Sequence, residues 1–108
     1  MGNKLYKLTS ENETEVQYLL GCPGCGNAHP VRVKGDRPCW TWNGSLEVPT
    51  FEPSLMVWGS DETRRCHSFI RNGRIEFLSD CFHELKGQTV DLPDFEDFFD
   101  SELTDDQN

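Results

Sequence analysis

Residues 29 to 34 alternate as His, Pro, Val, Arg, Val, Lys, so an extended chain would carry Val31 and Val33 on one side and Arg32 and Lys34 on the other. A period of two with apolar residues on one side marks a strand with one buried face. Two shorter strand-like runs precede it, Lys4 to Leu8 and Glu15 to Leu20, separated by the polar turn from Thr9 to Glu13. Further on, Phe69 and Ile70 stand before Asn72-Gly73, with Ile75, Phe77 and Leu78 after it. Asn-Gly supplies the two positive-φ positions of a type I′ turn, so this segment predicts a β-hairpin with a two-residue loop. The same dipeptide at Asn43-Gly44 predicts a second hairpin turn, beside Trp40 and Trp42 with their indoles on one face. Pro49 and Pro53 bracket an extended stretch and argue against helix, and Leu55-Met56-Val57-Trp58 reads as a core run. After one more candidate strand, Gln88 to Leu92, Pro93 suits the first turn of a helix. Its Phe95, Phe98, Phe99 and Leu103 fall on one stripe.

A chain of 108 residues fits one domain, and its twelve aromatic residues give a small core large packing units. The domain is expected over residues 1–103, followed by a disordered acidic tail at 104–108. No run approaches the roughly 18 apolar residues of a membrane span, and the first residues lack the long apolar segment of a signal peptide. A cytoplasmic setting follows as an expectation, in which the five cysteines are thiols or metal ligands rather than disulfides. The net charge of −9 is concentrated at one end: beyond Lys86 there is no Lys or Arg, while eight acids lie between Asp91 and Asp106. The rest of the chain is nearly neutral, which weighs against an overall DNA-like charge.

Soft donors occur in two clusters. Cys22-Pro23-Gly24-Cys25-Gly26 places two thiols on a tight turn, where both sulfurs can point inward and following amides can bond to them. Cys66-His67 and Cys81-Phe82-His83 lie about forty residues on and can close a tetrahedral zinc site. In the second hairpin Arg71 pairs with Arg74. Cys81 then shares a face with Cys66, roughly 7 Å away at the backbone, while His67 turns to the other face, toward Asp80. The preferred ligand set is Cys22, Cys25, Cys66 and Cys81, with His83 and then His67 as substitutes. His29, His67, His83 and Asp80 remain as candidate ligands, supporting groups or acid-base residues. Cys39, outside both clusters, is expected to be a small buried packing residue. The fold class is therefore mainly β (α+β), a small zinc-ribbon-like antiparallel sheet domain with a short C-terminal helix.

Several motifs occur in a fixed order: Cys22 to His29, Trp40 to Gly44, Pro49 to Ser54, Cys66 to Phe69, Gly73 to His83 and Gly87 to Pro93. In that order and spacing the chain resembles a group of small phage and prophage proteins, often labelled ammonia monooxygenase. That label does not suit a chain without membrane-spanning segments. The resemblance implies a zinc-bound accessory protein in the cytoplasm of a host bacterium.

Three functions follow as expectations. The first is a zinc-stabilised protein-binding module that engages a bacterial or phage protein, with counter-defence among its uses. Phe95, Phe98 and Phe99 would form its docking stripe. The second is nucleic-acid binding through Arg32, Lys34 and Arg37 beside Trp40 and Trp42, and through the arginines of the second hairpin. The third is a zinc hydrolase with an open metal position. Because Cys-rich donors favour a closed metal shell, non-catalytic binding stands ahead of enzymatic activity.

Overall fold

A computed structural model describes residues 2–58 and 64–98. Three antiparallel strands form the first sheet: β1 (Leu5–Thr9), β2 (Val16–Gly21) and β3 (Ala28–Lys34), in that spatial order. The second sheet has five, in order β4 (Thr41–Trp42), β5 (Phe51–Trp58), β6 (Arg65–Arg71), β7 (Arg74–Phe77) and β8 (Thr89–Asp91). Every neighbouring pair is antiparallel. The mainly antiparallel β architecture expected from the residue pattern is thus present.

One core joins the two sheets. Leu5, Tyr18, Leu20 and Val31 come from the first, and Phe51, Leu55, Ile70, Ile75 and Phe77 from the second, all buried in one cluster that also takes in Leu92. The alternation of strands explains the selection. In β6, Cys66, Ser68 and Ile70 are buried while His67 and Phe69 between them are only partly covered. Trp42 bridges the sheets, with ring centroids 4.5 Å from Tyr18 and 6.3 Å from Phe51.

The β6–β7 hairpin has the expected two-residue loop, with Arg71 opposite Arg74 and both Asn72 (φ 52°) and Gly73 (φ 78°) in the left-handed region. Asn43-Gly44 does not form such a loop. Trp42 pairs with Phe51, so residues 43–50 make a wider connection. Its Asn43 side chain accepts from the amides of Ser45 and Thr50 and donates to the Val48 carbonyl. By capturing backbone groups on both sides of the loop, the amide side chain favours the wide form over the tight one.

Two further expectations are corrected. Leu55-Met56-Val57-Trp58 is a strand with one face open: Leu55 is buried, but Met56 and Trp58 are 37% and 51% exposed. Cys39 is exposed rather than packed inside, because it lies in the irregular segment that leaves β3, where its thiol donates to the Arg37 carbonyl.

At the C-terminal end, residues 95–98 form a single helical turn. Lys4 Nζ meets Asp94 Oδ1 at 2.8 Å, and the Phe95 amide donates to the Asn3 carbonyl, which fastens this end to the residues just before β1. Phe99, Leu103 and the expected tail at 104–108 lie outside the described residues.

Candidate functional site

The second sheet carries chemistry on both faces of β6. Pairing between β5 and β6 runs in register from Leu55↔Ser68 to Trp58↔Arg65, but the next pair is Phe51↔Ile70. Strand β5 therefore spends four residue steps where β6 spends two. Such bulges bend a strand and re-aim side chains, and Ser54 sits within this one. Its carbonyl accepts from the Trp40 indole Nε1 at 3.1 Å, and its hydroxyl lies 3.0 Å from His67 Nε2.

His67 Nδ1 in turn lies 3.2 Å from Asp80 Oδ2. The hairpin accounts for this pairing: it fixes where the chain leaves β7, and the Leu78 amide donates to the His67 carbonyl as the chain turns toward Asp80. Arg65 Nε braces the acid, 3.3 Å from the Asp80 carbonyl and 3.5 Å from its carboxylate. With Asp80 accepting from Nδ1–H, His67 Nε2 is left to accept the proton of the Ser54 hydroxyl. Ser54, His67 and Asp80 thus lie in one hydrogen-bonded line, the geometry in which a hydroxyl nucleophile, a base and an orienting acid can work together. All three are reachable from solvent. The His67 and Asp80 side chains are 24% and 39% exposed, on the open face that also bears Met56 and Trp58.

Behind β6 lies the thiol cluster. One donor from each of Cys22, Cys25, His29 and Cys66 falls within 4.8 Å of the others, and a second such group joins Cys66, Cys81 and His83. The turn at Cys22 is closed by the Gly26 amide donating to the Cys22 carbonyl, while the Cys25 amide donates to Cys22 Sγ at 3.4 Å. Gly26 at φ 76° suits the left-handed position there. Cys22 Sγ is 3.9 Å from Cys66 Sγ, close to the ~3.8 Å between two sulfurs that each bind a tetrahedral ion at about 2.3 Å. His29 Nε2 is buried and has no hydrogen-bond partner, although an imidazole nitrogen in such a place ordinarily has one. Three thiols this close cannot all ionise. The Cys22 thiol is held down to about 4, mainly by the hydrogen bond from Cys66. Burial pushes Cys25 up to about 12, and donation to Cys22 raises Cys66. A divalent cation would relieve this conflict by balancing the thiolates.

The sequence-derived ligand candidates therefore come together, in two overlapping groups rather than one. Cys22, Cys25 and Cys66 share a group with His29, whereas Cys81 lies with Cys66 and His83. Cys81 Sγ accepts from the His67 amide at 3.2 Å and donates to the His67 carbonyl at 3.0 Å. His83 Nδ1 accepts from the Leu85 amide, which leaves Nε2, 3.5 Å from Cys66 Sγ, as the donor to that sulfur. Its ring lies edge-on to Phe77 and against Gly24, where an added Cβ would collide with it. Of the expected docking stripe, Phe95 stacks on Tyr6 at 5.4 Å and the Phe98 ring lies against Gly21. Phe99 is not among the described residues.

Sequence reasoning found His67 and Asp80 as a pair but missed Ser54. The available signal was a serine directly after Pro53, in a strand interrupted by that proline, two residues before the one opposite His67. No curated protein and no solved structure matches the chain. A family model described as "Bacterial ubiquitination-like system serine protease (BubE)" matches residues 2–78, a span that holds Ser54 and His67 and ends two residues before Asp80.

Proposed function

The chain belongs to the BubE family of bacterial ubiquitination-like system serine proteases, and we propose that it is itself a serine protease. In this reading it cleaves a peptide or isopeptide bond made by a ubiquitin-like modifier. The observation that carries the proposal is the line from Ser54 through His67 to Asp80, at 3.0 and 3.2 Å. Ser54 Oγ attacks the scissile carbonyl while His67 Nε2 takes its proton. The same imidazole then returns the proton to the departing amine, and water repeats the cycle on the acyl-enzyme. Asp80 holds the imidazole in the tautomer this requires and stabilises its charged form.

The protein partner expected from the sequence enters this reading as the substrate, in the cytoplasm of the bacterium. Counter-defence remains one setting in which cleavage of such conjugates would serve a phage.

The metal belongs to the same reading as a structural element. Cys22, Cys25, His29 and Cys66 fit a closed zinc shell: their donors converge, Cys22 and Cys66 have tetrahedral spacing, and His29 Nε2 is otherwise unpaired. When bound, the ion cross-links the turn after β2 to β6. Cys66 directly precedes His67, so the clamp also fixes the strand that presents the base.

A biotinylated fluorophosphonate, followed by intact-mass and peptide analysis, tests the assignment. The wild-type protein should take up one equivalent on Ser54. Ser54→Ala should take up none while keeping its thermal unfolding midpoint, and His67→Ala should react slowly. Labelling elsewhere, or none on folded wild-type protein, would overturn it.

A further inference from the structure

Among the described residues, strand β5 has a free edge beside Ser54. Its pairing with β4 ends at Glu52, and among the described residues no strand pairs with β5 on that side from Ser54 to Trp58. Three observations fix which backbone groups point there. The Ser54 carbonyl faces the β4 side, because the Trp40 indole donates to it. From across the sheet, the His67 amide bonds Cys81 and the His67 carbonyl accepts from Leu78, so His67 directs neither group at its partner Met56. Likewise the Arg65 carbonyl, opposite Trp58, accepts from the Phe82 amide. In an antiparallel ladder such pairs leave the facing residue's N–H and C=O for the other side. Met56 and Trp58 thus present both groups at the open edge.

We propose that this edge binds an extended segment of the substrate polypeptide, which adds to the sheet as an antiparallel strand in line with β4 and carries its scissile bond to Ser54. The proposal rests on the serine-protease reading and deepens it by naming the form of the substrate: an unfolded stretch, recognised first through its main chain. Three features favour this occupant. Exposed edges are ordinarily guarded by charge or proline, yet Ser54-Leu55-Met56-Val57-Trp58 has neither. Met56 and Trp58 stand exposed on the same face as the triad, ready to pack against alternate substrate side chains. A groove of about 300 Å³, lined by Val57, Trp58 and Phe82 and by Cys25, Asn27, Ala28 and His29, opens beside the last residues of β5. Met56 lies two residues from Ser54, roughly 7 Å along the strand, so a peptide paired with Met56 has a carbonyl near the nucleophile.

The test uses diphenyl phosphonates carrying one to four alanine or valine residues, with a small fluorophosphonate as the reference for Ser54 reactivity. The ratio of phosphonate to fluorophosphonate rates should rise at least tenfold from one residue to four. N-methylation of alternate peptide amides should remove the gain in one register and spare it in the other. Met56→Pro, tolerated at an edge because its N–H bonds no strand, should lower the four-residue ratio at least tenfold. An unreactive tetrapeptide amide should shift the Met56 and Trp58 amide resonances. That readout decides docking even if fluorophosphonate fails to label Ser54, a failure that would sink the triad instead. Ratios indifferent to length and N-methylation, with unshifted amides, would overturn the proposal. So would light scattering that finds a second copy of the chain held on this edge and released by Met56→Pro.

Discussion

Asp80 performs its role only if its carboxylate stays aimed at His67 Nδ1, and that aim is shared between Arg65 and the turn that follows β7. Asp80→Asn keeps the shape but presents an amide where the Nδ1–H needs an anion. Hydrolysis should fall by about 10⁴, the cost of trapping the wrong tautomer in the serine-protease template. Arg65→Ala should cost far less, since the Arg65 contacts lie at the surface and surface pairs are worth about 0–1 kcal/mol. Cys81 is a subtler case. Its sulfur bonds both the amide and the carbonyl of His67, so Cys81→Ala leaves a partly buried amide without that partner, at about 1–3 kcal/mol. If Cys22, Cys25, His29 and Cys66 hold the metal, Cys81→Ala should retain one equivalent of zinc by atomic absorption while losing hydrolytic rate. Cys81→Ser, which can still bond the amide, should recover part of that rate. Loss of the zinc from Cys81→Ala would move Cys81 into the metal shell instead.

Among the elements, the bulge in β5 decides whether the proposed nucleophile meets its base at all. It brings Ser54 to His67, and the Trp40 indole holds the bulge from the β4 side. Trp40→Phe removes one hydrogen bond to a partly buried carbonyl, so stability should drop by about 1 kcal/mol in urea titrations. Hydrolysis should drop further than stability, because a base and a nucleophile tolerate little misplacement. The C-terminal turn offers an independent check. A Cβ added at Gly21 would collide with the Phe98 ring, so Gly21→Ala should dislodge residues 93–98 and raise the amide exchange rates of residues 94–98. These elements also show what the residue pattern could and could not convey. The β6–β7 hairpin was legible because Asn72-Gly73 encodes its own loop, and register then sets His67 toward Asp80. The bulge was not, since an irregular strand has no periodicity to read. Nor was the sorting of donors: His29 joins Cys22 across a β2–β3 pairing, and Cys81 leaves the strand direction once β7 ends at Phe77.

For the molecule as a whole, a metal held by the thiol cluster would make folding, metal and proton one linked equilibrium. Without metal the cysteines pull in opposite directions. Cys22, lowered from its ordinary 9.0 to about 4, contributes stability that is full above pH 9 and is lost as pH falls through about 4. Cys25, raised to about 12, contributes stability that is full below pH 9 and is lost as pH rises toward 12. Zinc requires thiolates throughout, so near neutral pH its binding must expel the protons of Cys25 and Cys66, while Cys22 has none to give. With about two protons released per ion, each unit of added pH should strengthen zinc binding about a hundredfold, measurable by competition with a chromophoric chelator at pH 6, 7 and 8. The rise in unfolding temperature produced by a fixed zinc concentration should shrink in step as pH falls, because only metal bound to the native state stabilises it. Chelation at pH 7 should also slow fluorophosphonate labelling of Ser54, since Cys66 and His67 are consecutive residues of β6 and a loosened Cys66 leaves the base less firmly held. A zinc affinity indifferent to pH would mean that the three thiols do not bind together. The clamp between the two sheets would then have to come from packing alone.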